Sequence, residues 1–495
     1  MKYHIITLGC PKNTVDSEGM HGILSREGYV AVAEADAADV VIVNTCSFIA
    51  AARDETLGVL QDLGAKKGPG QRLIAAGCMA ESHGDLVRER VPAVDATLST
   101  KEWMRIGQVV GGLNGAPDAP AAPSLGIPLF GGPSLGVPLA PSAPALDLGI
   151  PLAPASPAAP ALDLGLALTP AATGDTLGSY GDWRTTAIKR HSGGPSAYLK
   201  ISDGCNLRCA FCTIPSFKGD MRSKPMGAIL GEARELVEQG VQEIILVAQH
   251  LTDYGRDLGL KHDGLATLLD ELAQVVPQDR WLRLMYAYPQ SITPGLIETM
   301  ARHPQICAYL DMPLQHAHPA TLRRMRRPPD ADKTRAIITD LRAAMPDLAI
   351  RTTFIVGYPG ETREEFGALL AFLEDMQFDR VGMFRYSLEP GTPAGALPDQ
   401  VSERVKERRW HEAMGVQQAI SAARTARWQG RTLRMLVEGT GEDERGQPIV
   451  VGRSFRDAPE VDGLVFAYGA APVGQFATVR VTRTTEYDLW GAVED

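Results

Sequence analysis

Three short, uninterrupted apolar runs stand near the N-terminus: HIITLG (4–9), VVIVNT (40–45) and RLIAAG (72–77). A cysteine follows each directly, at Cys10, Cys46 and Cys78. A strand without polar alternation is covered on both faces, the condition of a parallel sheet with crossover helices on either side. Between the second and third runs, Ser47–Leu63 is rich in Ala, Leu and Glu, as a crossover helix requires. Residues 1–105 therefore read as a doubly wound parallel sheet. Strand C-termini in an open sheet share one crevice, so the pattern gathers three distant thiols, and Gly9 and Gly77 allow close backbone approach there. Alternatively each cysteine is a small buried hydrophobe, a common use of this residue. Three strand ends out of three weigh against coincidence.

The remaining chain divides by pattern. In residues 184–430, strands are expected at Tyr198–Ser202, Glu243–Gln249, Trp281–Tyr288, Cys307–Pro313, Ala349–Val356 and Arg380–Tyr386. Helical patterns follow most of them, at Met226–Gln239, Leu265–Val276, Gly295–Arg302, Asp332–Met345 and Glu361–Met376. Six β/α units predict a full or partial TIM-like α/β barrel, closed by a long charged helix near Ser402–Trp428. Residues 431–495 carry short β-rich segments between Gly, Pro and Asp, which predict a small β-barrel of about five strands. Residues 106–183 contain no Lys or Arg, and 13 of the 35 prolines fall between Pro117 and Pro170. Loose repeats (PSLGIPL, PSLGVPL, ALDLGIPL) mark this stretch as a low-complexity linker. The fold class is α/β, and 495 residues at about 150 per domain agree with three domains.

The balance of 49 basic against 59 acidic residues, net −10, argues against a chain that coats nucleic acid by bulk charge. MKYHIITLGC lacks the basic stretch and long apolar run expected of a signal peptide, and no apolar stretch is long enough for a bilayer. A cytoplasmic enzyme without a membrane partner is expected. Its seven cysteines are then reduced thiols. Three of them form SDGCNLRCAFCTIP, a C-x3-C-x2-C spacing just after the first expected barrel strand, on the face where barrel enzymes work. Three thiolates this close can hold three corners of a four-iron cluster and leave one iron open. The other readings are incidental cysteines or part of a zinc site, and a structural zinc needs a fourth ligand that is not adjacent.

That stretch, with Phe211 before its last cysteine, resembles the radical S-adenosylmethionine (SAM) enzymes. The resemblance implies a four-iron–four-sulfur cluster on Cys205, Cys209 and Cys212 that chelates SAM. One-electron cleavage then gives methionine and a 5′-deoxyadenosyl radical, and the protein orients SAM and keeps the radical dry. LGCPKNTVDSE, VNTCSFI and AAGCMA, with the later motif, resemble the methylthiotransferases. The match covers residues 1–105 and about 184–495. It implies a second four-iron–four-sulfur cluster on Cys10, Cys46 and Cys78, a C-terminal TRAM domain, and a reaction that uses two SAM molecules. It also implies a SAM pocket that includes Phe211, Gln249 and, in RTTFIVGYPGET (351–362), Ile355 and Gly357 along the adenine. Gln249 could instead cap the next element, and the latter segment also reads as a plain strand–turn–helix start. Gln315 and His316 lie near a barrel mouth without an assignable role, and Cys307 reads as core. Arg323, Arg324, Arg326 and Arg327 form either a solvated helix end or a contact for an acidic partner such as ribosomal RNA.

Methylthiotransferases of this architecture modify either an adenosine of tRNA or the β-carbon of an aspartate in ribosomal protein S-twelve. A module that grips RNA phosphates should be basic. Residues 431–495 hold 7 basic and 11 acidic residues, a poor grip for tRNA but a plausible dock for a basic protein. LDMPLQHAHPATLRRMRRP and RVGMFRYSLEPGTPA also resemble the protein-modifying branch. The expected activity is aspartate methylthiolation on ribosomal protein S-twelve or the small ribosomal subunit. A monomer served by an electron donor such as flavodoxin or ferredoxin is expected. The rivals are the tRNA enzyme and, from another class, an iron–sulfur electron carrier.

Overall fold

The computed structural model describes residues 1–113, 182–186, 194–260 and 263–494. Its first sheet contains β1 (Lys2–Thr7), β2 (Val30–Ala31), β3 (Val40–Thr45), β4 (Arg72–Gly77) and β5 (Ala96–Ser99), all parallel, in the order β2-β1-β3-β4-β5. Val40, Ile42, Ile74 and Ala76 pack against Met20, Ile23 and Leu24 of helix Pro11–Arg26. Val41, Val43, Leu73 and Ala75 pack against Leu60 of helix Ala50–Lys66 on the other face. Both faces are covered, which is why these runs show no polar alternation.

Two strands of this sheet escaped the sequence reading. β2 has two residues, both exposed, and β5 is short and mostly half-buried, so neither carries an apolar run. The boundary at 105 also needs correction. Helix Ile106–Gly112 buries Ile106 and Val110 against the same core as Met20, and Trp183 joins that cluster from beyond the Pro-rich stretch. Their i, i+4 spacing is that of a helix face. The rest of the low-complexity stretch, 114–181, lies outside the described residues.

The central unit contains β6 (Ser196–Lys200), a small ribbon of β7 (Ser202–Asp203) and β8 (Arg222–Ser223), then β9 (Glu243–Val247), β10 (Trp281–Leu284), β11 (Ile306–Asp311), β12 (Ala349–Val356) and β13 (Arg380–Arg385). The parallel sheet runs β6-β9-β10-β11-β12-β13 and does not close, so the barrel is partial, with six strands. Ile244 and Leu246 face the outer helices, while Ile245 and Val247 face inward with Met285 and Tyr309. Two other domains complete that inner core, through Val15 of the first helix and through Leu436 and Ala458. The helix expected from Glu361 begins at Arg363, because Thr362 and Glu365 form a reciprocal capping box. The C-terminal helix spans Glu403–Ala426. After it, β14 (Thr432–Glu442), β15 (Pro448–Ser454), β16 (Val465–Tyr468), β17 (Phe476–Thr484) and β18 (Leu489–Glu494) form a closed barrel in the order β14-β15-β16-β18-β17.

Buried ion pairs fasten this small barrel to the central sheet. Glu243, fully buried, accepts from Arg283 and from Arg453 at 2.6 Å each. Arg380 pairs with Asp457 at 2.9 Å, and the Tyr309 hydroxyl donates to Asp462 at 2.7 Å. Burial opposes the ionised form of Glu243, but the two guanidiniums outweigh it and hold its pKa down at about 2. A depressed carboxyl pKa contributes stability above the unfolded value, about 4.3, that is lost as pH falls toward 2. Glu243→Ala leaves two buried guanidiniums without their shared anion and is expected to cost about 3–5 kcal/mol. Urea unfolding at neutral pH checks this, and an unchanged midpoint would refute the fastening role.

Candidate active site

The parallel register decides where the first three cysteines go. Thr7 pairs with Asn44, and Thr45 with Gly77, so β1, β3 and β4 end at the same edge. Cys10, Cys46 and Cys78 follow those ends. A Cβ at Gly9 (φ +91°) would stand 2.6 Å from the Cys46 Cβ and 2.8 Å from its Sγ, so only glycine lets these two loops meet. Buried Asn13 ties the edge together. Its Nδ2 donates to the carbonyls of Leu8 (2.8 Å) and Thr45 (3.0 Å), and its own carbonyl accepts from Asn44 Nδ2 (2.8 Å). The charges of Cys10 and Cys46 reach Cys78, whose thiol burial pushes up to about 12; burial raises Cys46 as well.

Cys205, Cys209 and Cys212 occupy the loop after β7. The loop is fixed by backbone bonds from Cys205 N to Gly219 O (3.1 Å), Cys212 N to Cys209 O (3.1 Å) and Ala210 N to Met325 O (2.9 Å). Burial raises the Cys205 thiol and pushes Cys212 up to about 12, and both lie within electrostatic reach of Cys209. Ala210 packs with Tyr358 and Tyr386, and Phe211 and Ile355 border the same apolar cluster. The structure thus brings together two of the residues expected at the SAM pocket. Gln249 donates to Asp203 Oδ1 at 2.7 Å, and its own Oε1 is buried without a partner among the described residues. Gly357 (φ +69°) faces the long helix, where a Cβ would stand 2.3 Å from Lys406 Cγ, so helix packing by itself demands glycine there.

Between the two thiol groups lies a set of residues that the sequence reading missed. Lys218 follows the Cys212 loop and donates to Asp203 (3.1 Å) and Thr100 (2.7 Å), while Lys200 pairs with Asp16. Burial works against the Asp203 carboxylate, but Lys218, Lys200 and Gln249 outweigh it and hold it ionised well below the usual range. Lys218 and Asp203 also act electrostatically on Cys78, so one ionic network touches both domains. The chain leaving β10 spans the gap. Burial raises both Tyr286 and Tyr288; Tyr286 also feels Lys12 and Cys10, whereas Tyr288 feels Arg327, Cys209 and Cys205. Two residues apart, these phenols address the two thiol groups. No local pattern marks either one, because their neighbours come from distant segments.

Tyr286 (φ 65°) and Gln315 (φ 74°) are non-glycine residues in the left-handed region, both just beyond strand ends at this mouth. Gln315 is held there by backbone pairing with Thr353 and Ile355, 2.8 Å each. His316 is buried, and its Nδ1 accepts from the His318 amide at 3.0 Å. The arginine cluster divides. Arg324 pairs with Glu365 and Arg327 stacks 4.8 Å over Tyr288, while Arg323 and Arg326 are exposed. Cys307 is buried in the inner core.

Among the described residues, no three His, Cys, Asp or Glu side chains converge on a single ion position. Three thiols at each of two places, buried (Cys78, Cys205, Cys209) or half-buried (Cys10, Cys46, Cys212), suit a larger polynuclear group, which bridges ligands that one ion would not reach and stabilises their thiolates. The known-family matches follow the same three units: Uncharacterized protein family UPF0004 at residues 2–99, Radical SAM superfamily at 199–373 and TRAM domain at 430–493. Fold and site together define a radical SAM enzyme with an additional N-terminal sheet domain and a TRAM barrel, a class that implies one four-iron–four-sulfur cluster and SAM.

The chain is 73% identical to the ribosomal protein uS12 methylthiotransferase RimO of Herpetosiphon aurantiacus over 494 residues, covering 100% of each chain. It is 64% identical to the enzyme of the same name in Roseiflexus sp. (99% of this chain, 97% of that one) and 37% identical to that of Geobacter sulfurreducens (99% and 98%). It belongs to the ribosomal protein uS12 methylthiotransferase family. The radical S-adenosylmethionine methyltransferase TsrM of Kitasatospora setae shares the fold, with a TM-score of 0.52 at 13% identity over 80% of this chain and 77% of that one. Among the described residues, no helix is long and apolar enough to cross a membrane.

Proposed function

We propose that this protein transfers a methylthio group to the β-carbon of an aspartate in ribosomal protein uS12. Cys205, Cys209 and Cys212 would hold the SAM-binding cluster, and Cys10, Cys46 and Cys78 a second four-iron–four-sulfur cluster. When bound, these groups and SAM supply the radical and the sulfur chemistry that no side chain can. The observation that carries the reading is that Lys218, six residues after Cys212, donates to both Asp203 and Thr100, so the two domains that carry the thiol groups meet beside them. Sulfur transfer to a substrate radical requires both centres to open on one cavity.

The chain's own residues position and protect. Phe211 and Ile355, with Tyr358 and Tyr386, form an apolar wall beside the cysteine loop that keeps water away. Gln249, anchored by Asp203, offers its free amide oxygen to SAM, and Gly357 shapes the end of β12 along the adenine. Arg327 supplies positive charge near Cys205 and Cys212.

The C-terminal barrel favours a basic protein over tRNA as the substrate. Of its seven arginines, Arg453 and Arg456 are about 1% exposed and engaged with central-domain carboxylates, and Arg431 and Arg480 are paired with Asp347 and Glu494. Few of its cations remain for phosphates. We place the reaction in the cytoplasm, on a monomer served by an electron donor such as flavodoxin or ferredoxin. Mass spectrometry of uS12 from cells with and without this gene tests the proposal. Deletion should remove the methylthio-aspartate mass from uS12, and an unchanged modification would refute it. Loss of a methylthio-adenosine from tRNA instead would favour the tRNA enzyme.

A further inference from the structure

Lys12 is a buried cation that no anion pairs directly; Cys10 and Asp203 act on it only from beyond ion-pair distance. It is 8% exposed, its Nζ stands 3.8 Å from the centroid of the Tyr286 ring, and among the described residues it makes no ion pair or hydrogen bond. Nearby lysines are treated differently: Lys200 is paired with Asp16, and Lys218 with Asp203. The placement adds to the imbalance. Lys12 lies in the first turn of helix Pro11–Arg26, which has no acidic residue in that turn and no side-chain cap on Cys10. The unsatisfied amides of a helix N-terminus already carry positive potential, and an ammonium there is disfavoured unless an anion joins it. Burial increases that penalty.

We propose that Lys12 receives the side-chain carboxylate of the substrate aspartate and so selects an acidic residue for modification. This inference rests on the aspartate reading given above. The carboxylate carbon is bonded directly to the β-carbon that takes the sulfur. A cation that holds this carboxylate must therefore stand beside the thiols that would hold the second cluster, and Lys12 is two residues from Cys10. It also faces the gap between the two thiol groups, because Tyr286, on whose ring it rests, belongs to the segment that spans that gap. The Tyr286 backbone is anchored. The Tyr286 amide donates to Asp311 Oδ2 at 3.2 Å, and Asp311 is itself paired with Arg351 at 2.9 Å. The carboxylates that act on this pair, Asp311 on the phenol and Asp203 on the ammonium, are thus committed elsewhere, to Arg351 and Lys218, and an aromatic face leaves the ammonium protons free for an incoming anion.

The test measures binding of the reconstituted enzyme to ribosomal protein uS12 and to uS12 in which the modified aspartate is asparagine. Wild type, Lys12→Met and Lys12→Arg are compared by fluorescence anisotropy, with iron content measured on each. Wild type should prefer the aspartate form about tenfold to a hundredfold, the range of a desolvated charge-assisted hydrogen bond. Lys12→Met should bind both forms equally, and Lys12→Arg should retain the preference. A Lys12→Met enzyme that keeps the wild-type preference overturns the proposal. So does an intact preference with a shifted cluster reduction potential, which would make Lys12 a counter-charge to the thiolates alone. If Lys12→Met fails to load iron, Lys12→Gln is read by the same criterion. A wild type that modifies uS12 but binds both forms equally defeats this inference alone. Absence of any uS12 modification defeats the underlying reading.

Discussion

Cys209→Ala reduces 5′-deoxyadenosine formation to background under strong reduction, whatever substrate is present. Each thiol group has three sulfur donors, and the described structure places no fourth cysteine beside the Cys205, Cys209 and Cys212 loop to replace one that is lost. Cys209 is buried, and its neighbour Ala210 is pinned to Met325 by its amide, so the loop cannot readily offer another donor from its own backbone. The substitution removes one sulfur from a small side chain, so unfolding midpoints should move little. Chromatography of the products after anaerobic reconstitution checks the prediction. Undiminished 5′-deoxyadenosine would mean that this loop does not hold the SAM-binding cluster.

Cys46→Ala separates the two activities. Methylthiolated uS12 should fall to background, while SAM cleavage survives far better, because Cys46 belongs to a different domain and a different set of donors. Gly9 packs directly on the Cys46 side chain, so the truncation opens a small gap and causes no clash. The same reaction, followed by mass spectrometry of uS12 and chromatography of 5′-deoxyadenosine, reads both outcomes. Full methylthiolation by the variant would dismiss the second cluster. Equal loss of both activities would show that the N-terminal thiols serve the first cluster or the fold.

Much of this site is legible in the sequence, for identifiable reasons. C-x3-C-x2-C is local chemistry at fixed spacing and needs no fold to be read. Cys10, Cys46 and Cys78 are distant in sequence, but their shared position after apolar runs encodes their meeting, because parallel strands end at one edge. β2 and β5 were missed since a two-residue exposed strand and a half-buried one have no apolar signature. Ala349–Val356 matched at both ends, but other expected strands ran too long at their C-termini: Trp281–Tyr288 ends as a strand at Leu284. There the chain bends through the left-handed Tyr286 into the site, and side-chain patterning alone does not report such a bend.

By itself the sequence determined the class of chemistry, the order of the domains and the six candidate cysteine ligands, since residue type, spacing and strand periodicity are local properties of the chain. Only the tertiary structure decided which charges are free. Sequence counts Lys12, Lys200, Lys218, Arg453 and Arg456 alike as cations. Burial and pairing commit Lys200 and Lys218 to Asp16 and Asp203, and Arg453 and Arg456 to Glu243 and Asp379, while Lys12 stays unmatched at the mouth of the site. Electrostatic free energy depends on distance and on exclusion of water, and neither exists until segments nearly two hundred residues apart, such as those of Asp16 and Lys200, are folded against one another.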